Sequence, residues 1–167
     1  MLVAPLVKYV KEGAWPTIFG LSGYSGAGTI ATNDPDGRPI SLPKVTPEAL
    51  GGGVKPYALT DHIHEREAAA HLSSLSPNPV KVSFIPAVTP WFSGIISTMS
   101  MPLSTTLSAR NIIELYEEMY SGEKLVTIKK DVPALSDIEN KHGWTVGGVQ
   151  VHSEGDRVVV VVCYLNS

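Results

Sequence analysis

Two histidines one residue apart, in Asp61-His62-Ile63-His64-Glu65, and a run of small residues, Ser22-Gly23-Tyr24-Ser25-Gly26-Ala27-Gly28, are the segments whose types and spacing could do chemistry. An imidazole titrates near neutral pH, so it can take or give a proton. At a helix N-terminus the dipole favours its neutral form. On a strand, histidines at i and i+2 share a side and could bind zinc, whereas a helix start points them apart. The plain alternative is a helix capped by Asp61 with its histidines in solvent.

In the glycine run, small residues let backbone N–H groups approach an anion or a flat cofactor ring closely. No Lys-Ser/Thr follows, so it is not a Walker loop, and Gly26-Ala27-Gly28 opens onto a loop instead of the helix a Rossmann turn requires. A tight turn and a ligand loop both remain open. Pro90-Trp91-Phe92-Ser93-Gly94-Ile95 places an aromatic pair before a strand, which reads as core or subunit interface more than as a ligand platform. The single cysteine, Cys163, excludes a disulfide framework and a cysteine-cluster metal site. It follows five valines at 158–162 and reads as a small core residue, not a nucleophile. His71, His142 and His152 have no neighbours that mark them out.

A chain of 167 residues with 43% hydrophobic residues can bury the core of one domain, 1–167. A formal net charge of -3 offers no electrostatic footprint for nucleic acid or an anionic membrane. No apolar stretch reaches the ~18 residues of a membrane span, and Met1-Leu2-Val3-Ala4-Pro5 is not a signal peptide. The abrupt ends, inside a helix pattern and directly after a strand, read as those of a piece of a longer chain.

The elements that must position these segments follow from periodicity. Residues 1–10 carry apolar positions at helical spacing, 17–23 read as a strand entering the glycine run, and 29–55 lack periodicity and read as a long mobile loop. A helix over 62–72 is capped by Thr60 or Asp61. Strands are expected over 80–88, closed by Pro86, and over 94–103, where Ile95, Ser97, Met99 and Met101 share one face. A helix over 108–120 shows the stripe Ile112, Leu115, Tyr116, Met119, and a short strand covers 125–128. Residues 145–152 and 157–165 read as a hairpin. About six strands and three helices with antiparallel neighbours make an α+β domain: a mostly antiparallel sheet with helices on one face.

Taken in order, Ser22–Gly28, then Pro56-Tyr57-Ala58-Leu59-Thr60-Asp61-His62-Ile63-His64-Glu65, then Val82-Ser83-Phe84-Ile85-Pro86, then Gly94-Ile95-Ile96-Ser97-Thr98 resemble N-acetyl-γ-glutamyl-phosphate reductase over nearly the whole chain. Tyr24, Thr29 and Asp61 are similar to the fungal mitochondrial form, part of a bifunctional precursor that also carries N-acetylglutamate kinase. The resemblance implies an NADP-dependent enzyme of arginine biosynthesis in the mitochondrial matrix, which converts N-acetylglutamyl 5-phosphate to the 5-semialdehyde. It also implies the C-terminal dimerisation domain of the semialdehyde dehydrogenase/glyceraldehyde-3-phosphate dehydrogenase-like fold, inserted in a Rossmann domain absent from this chain. A homo-oligomer and contact with the kinase are its implied partnerships.

The same resemblance assigns residues. His62 and His64 match the family's His-x-His, with the leaning to His64 as acid/base, and Tyr57 joins both on the substrate side. Ser22, Gly23, Ser25, Gly26, Ala27 and Gly28 would lie against the cofactor and the reacting carbonyl, and no metal is implied. The family's nucleophilic cysteine, in Asn-Pro-Gly-Cys, is absent, so these residues alone would be inactive. Thr29 and Ile63 stand where the family has arginine, and Leu165-Asn166-Ser167 replaces its Asp-Asn-Leu ending. An assembly module without catalytic function is the alternative.

Overall fold

Alternation along the strands decides where the core lies. The computed structural model describes residues 1–139 and 141–165. It opens with a 3-10 turn, Ala4–Tyr9, and enters strand β1, Thr17–Gly23. A second 3-10 turn, Tyr24–Ala27, leads to β2, Thr29–Asn33, β3, Pro39–Pro43, helix α1, Pro47–Leu50, and β4, Lys55–Pro56. Helix α2 spans Ile63–Ser73, β5 Ser83–Thr89, β6 Ile95–Pro102 and helix α3 Ala109–Met119. Strand β7, Val126–Ile128, precedes a 3-10 turn, Leu135–Asp137, and the hairpin of β8, Trp144–Val151, with β9, Arg157–Tyr164.

Seven strands form one sheet in the order β4-β5-β1-β6-β9-β8-β7, and β2 pairs with β3 in a separate ribbon. The β1–β5 and β7–β8 pairs are parallel and the rest antiparallel. Ile18, Met99 and Val160 lie side by side in register, and Phe19, Thr98 and Val161 form the next row, facing the other way. The first face, with Met101, Val146, Val158 and Val162, is buried under Leu6, Leu72, Ile112 and Tyr116 from the opening turn, α2 and α3. The second face is only partly covered, and Phe19 keeps 49% of its surface exposed. Helices on one face of a mostly antiparallel sheet is the α+β arrangement the patterns predict.

Ser108 caps α3 in a reciprocal capping box with Asn111, an arrangement worth about 1 kcal/mol. The Tyr116 hydroxyl donates to the Leu2 carbonyl and that of Tyr120 to the Met1 carbonyl at 2.9 Å, pinning α3 to the opening segment. The apolar stripe ends early, because Met119 is 45% exposed.

Three expectations need correction. Residues 29–55 are not one long loop: they hold the β2–β3 ribbon, α1 and β4. The ribbon escapes periodicity because β2 is exposed throughout and β3 mostly so, leaving no buried face to impose alternation. Its turn is held by Asp34, whose Oδ1 accepts from the N–H groups of Asp36 and Arg38. The strand predicted over 80–88 starts at Ser83 and runs through Pro86 instead of ending there. Pro86 can sit inside β5 because its missing N–H faces the side where β4 stops: Tyr57 donates to the Pro86 carbonyl at 3.1 Å, and no return bond is possible. The third correction concerns the cap of α2.

Candidate active site

The sequence before α2 turns sharply. Ala58 and Asp61 both adopt positive φ, 42° and 58°. An N-cap needs extended backbone, so Asp61 in the left-handed region cannot serve. His62 takes the position: its Nδ1 accepts the backbone N–H of His64 at 3.2 Å. Only an unprotonated Nδ1 can accept, which fixes the tautomer with hydrogen on Nε2. Burial, reinforced by the charge of neighbouring His64, lowers the His62 pKa from its ordinary value.

His64 is free of that duty. Its side chain is 64% exposed, with Nε2 3.9 Å from a Glu67 carboxylate oxygen one turn on. It lines a cavity of about 280 Å³ together with Ile18, Phe84, Ser97, Val162 and Tyr164. The Phe84 ring supports both imidazoles, at centroid distances of 5.4 Å from His62 and 6.1 Å from His64. The two imidazoles are 4.7 Å apart, and Tyr57 reaches His62 at 5.8 Å. Tyr57, His62 and His64 therefore lie together. Burial raises the Tyr164 phenol above its ordinary value, and neighbouring Ser97 works against that rise.

Ser22, which begins the glycine segment, falls on the face of β1 that carries Ile18 and Gly20. Gly20 and Ser22 share a face of β1, about 7 Å apart by strand rise. A Cβ on Gly20 would meet the Phe84 ring at 2.9 Å, with Ser97 Oγ at 3.6 Å. Beyond Ser22, the N–H groups of Gly23, Tyr24 and Ser25 donate to the carbonyls of Gly94, Trp91 and Phe92 at 2.9–3.0 Å. A Cβ on Gly23 would stand 2.7 Å from the Phe92 carbonyl oxygen, so close backbone packing requires glycine there. The donors of 23–25 hold the aromatic segment, and nothing stands within 4 Å of the space above Gly28. Tyr24 meets Phe92 edge-on at 5.5 Å, and Phe92 is otherwise 66% exposed.

Cys163 is fully buried, and burial pushes its thiol up to about 11. Among the described residues, the group that could approach a metal is His152, Glu154 and Asp156 on the β8–β9 turn, all exposed, and it includes neither His62 nor His64. There His152 Nδ1 already accepts the Glu154 N–H at 3.4 Å. Asn166 lies outside the described residues. Sequence reasoning gives Phe84, Ser97, Tyr164 and Glu67 no place in the site. Topology assembles them from four elements, and only the i, i+3 spacing of His64 and Glu67 was locally readable.

Residues 1–166 match the family described as semialdehyde dehydrogenase, dimerisation domain. Protein ARG5,6, mitochondrial, of Candida albicans is 41% identical over 160 residues, 95% of this chain and 17% of its own length. Protein arg-6, mitochondrial, of Neurospora crassa is 40% identical over 95% of this chain and 16% of its own. The N-acetyl-gamma-glutamyl-phosphate reductase of Xanthomonas axonopodis pv. citri is 38% identical over 96% of this chain and 45% of its own. The chain thus spans less than half the length of these relatives. Among solved structures, aspartate semialdehyde dehydrogenase II from Vibrio cholerae superposes with a TM-score of 0.68 over 98% of this chain and 53% of its own, at 12% identity. That likeness carries the fold alone.

Proposed function

This chain belongs to the semialdehyde dehydrogenase dimerisation-domain family, and on that premise we propose that it is the substrate-binding and dimerisation domain of an NADP-dependent N-acetyl-γ-glutamyl-phosphate reductase. The similarity to reductases of that name and to mitochondrial fungal proteins supports the substrate, the pathway of arginine biosynthesis and a mitochondrial matrix location. One observation carries the catalytic reading: His64 faces the cavity while the Nδ1 of His62 is committed to the helix cap.

In this reading a cysteine thiol from the rest of the longer protein is the nucleophile, since Cys163 is buried and held protonated. His64 takes the thiol proton as the sulfur attacks the acyl carbon, and breaking of the bond to the phosphate oxygen leaves a thioester. After hydride addition at that carbon the oxygen reforms the carbonyl of the semialdehyde, the C–S bond breaks and His64 returns its proton to the departing sulfur. Glu67, one turn along α2, places a carboxylate oxygen 3.9 Å from the Nε2 of His64. Bound NADPH supplies the hydride. The open, small-residue surface around Gly26, Ala27 and Gly28 fits a flat ring at close approach, while Ser22, Gly23 and Ser25 build the wall behind it. Among the described residues lining the cavity there is no Lys or Arg, and in this reading the phosphate is met by cations from beyond that lining.

Phosphate-dependent reduction of NADP with N-acetylglutamate semialdehyde tests the proposal. The 167 residues alone give no turnover, the longer protein with its nucleotide-binding segment turns over, and His64→Ala lowers kcat about 10²–10⁴-fold. Turnover unchanged in His64→Ala contradicts it.

The half-covered sheet face favours a second reading, assembly. Phe19, Leu21, Ile96 and Val159 leave apolar surface on the side without helices, which suits a second copy or the kinase half of a bifunctional precursor. A stable dimer that binds no substrate analogue would leave assembly as the function.

A further inference from the structure

The end of the β4–β5 ladder leaves a donor to be satisfied. Strand β4 pairs with β5 only through Lys55–Val88 and Pro56–Ala87, and the Tyr57 bond to the Pro86 carbonyl is the last rung. Alternation points the N–H of Phe84 to the same edge as the Pro86 carbonyl, one rung past the point where β4 stops. Ser83, of the opposite parity, donates instead towards β1, to the Pro16 carbonyl at 2.9 Å. An N–H at a half-buried strand edge needs an acceptor. Glu65 provides one: its Oε1 accepts from Phe84 N–H at 2.7 Å, across nineteen positions of sequence. At that length it is a charge-assisted bond, stronger than a neutral one.

Its location matters for the site. Glu65 stands in the first turn of α2, directly after His64, and Phe84 is the residue whose ring carries both imidazoles. Otherwise α2 touches the sheet core mainly through Leu72 and Ala68, at its middle and far end. Besides the ring contacts of His62 and His64 with Phe84, the N-terminal turn is held against β5 by this one carboxylate bond.

We propose that Glu65 is the positioning residue of this site, clamping the first turn of α2 to the Phe84 N–H so that His64 is held over the cavity. The role rests on the reading of His64 as the acid/base group, and the test keeps the two apart. In the longer protein, Glu65→Ala lowers kcat about 10–100-fold at 25 °C, the scale set by a misplacement of about 1 Å. Glu65→Gln keeps an oxygen acceptor and retains kcat within about threefold. The ring-proton resonances of His62 and His64 and the amide of Phe84 shift in Glu65→Ala and stay near native in Glu65→Gln. Denaturation of each variant confirms that both are folded at the assay temperature. Native kcat and native imidazole resonances in Glu65→Ala overturn the clamp. Equal losses in both variants overturn it as well, since the negative charge and not the bond would then be at work. If His64→Ala keeps full activity, the acid/base reading fails on its own, while the resonance shifts still decide whether Glu65 positions the turn.

Discussion

The Phe84 ring lies across Gly20, with Cε2 2.9 Å from where a β-carbon on that residue would stand. Glycine at position 20 leaves the space into which the aromatic support of both imidazoles is laid. Gly20→Ala should therefore cost about 1–3 kcal/mol of stability as the ring is forced aside, read from a denaturant midpoint. Because His62 and His64 rest on that ring, turnover of the longer protein should fall as well. A neutral effect on both would mean that the ring shifts freely.

Protonation of His62 should loosen the fold. Its pKa in the folded state is lowered by burial and by His64, so the unfolded chain binds the proton more readily. The contribution is complete above about pH 6.5, the ordinary histidine value, and is lost as pH falls through the lowered folded value. The cap explains the direction, since a protonated Nδ1 cannot accept the His64 N–H. Denaturation midpoints measured from pH 8 down to 5 should show this loss in the native protein and lack the His62 part of it in His62→Asn, whose amide oxygen still caps.

Thiol reagents should find Cys163 unreactive in the folded protein. The side chain is fully buried and its thiol is raised to about 11, so thiolate is scarce at neutral pH. Labelling followed by mass measurement should show modification only under unfolding conditions. Rapid labelling of the native protein would remove the core assignment.

Charge on the open sheet face should disperse an assembly built on it. Phe19→Glu places a carboxylate in the row shared with Thr98 and Val161, a position half open to solvent. Monomer fold is expected to survive, while the solution mass falls to that of one chain. An unchanged oligomer would move the contact elsewhere.

How much of this was legible depended on whether the signal was local. The bounds of β1 agree with those expected, and those of β6, α3 and the β8–β9 hairpin agree within a residue or two. Strand β6 alternates between a buried and a part-covered face, α3 carries a capped apolar stripe, and β9 is a continuous apolar run bounded by a turn. The β2–β3 ribbon was not legible, since solvent on both sides imposes no pattern. Asp61 looked like the cap because its residue type prefers that role, and the left-handed backbone passed the role to His62. The histidine pair and Tyr57 could be singled out from spacing and resemblance. Phe84, Ser97 and Tyr164 could not, because only the pairing of β5, β1, β6 and β9 brings them under His64. The glycine run shows the opposite limit: its composition suggested free backbone donors, and the fold uses those of residues 23–25 to hold the Trp91–Gly94 segment.

The division of labour between the two imidazoles is tested most directly by kcat of the longer protein carrying His62→Asn or His64→Asn, each compared for stability. The account predicts that His62→Asn keeps both stability and kcat close to native, through its substitute cap. His64→Asn should keep stability within about 0.5 kcal/mol while kcat falls at least 100-fold. The reverse pattern, with turnover lost in His62→Asn and kept in His64→Asn, would contradict it.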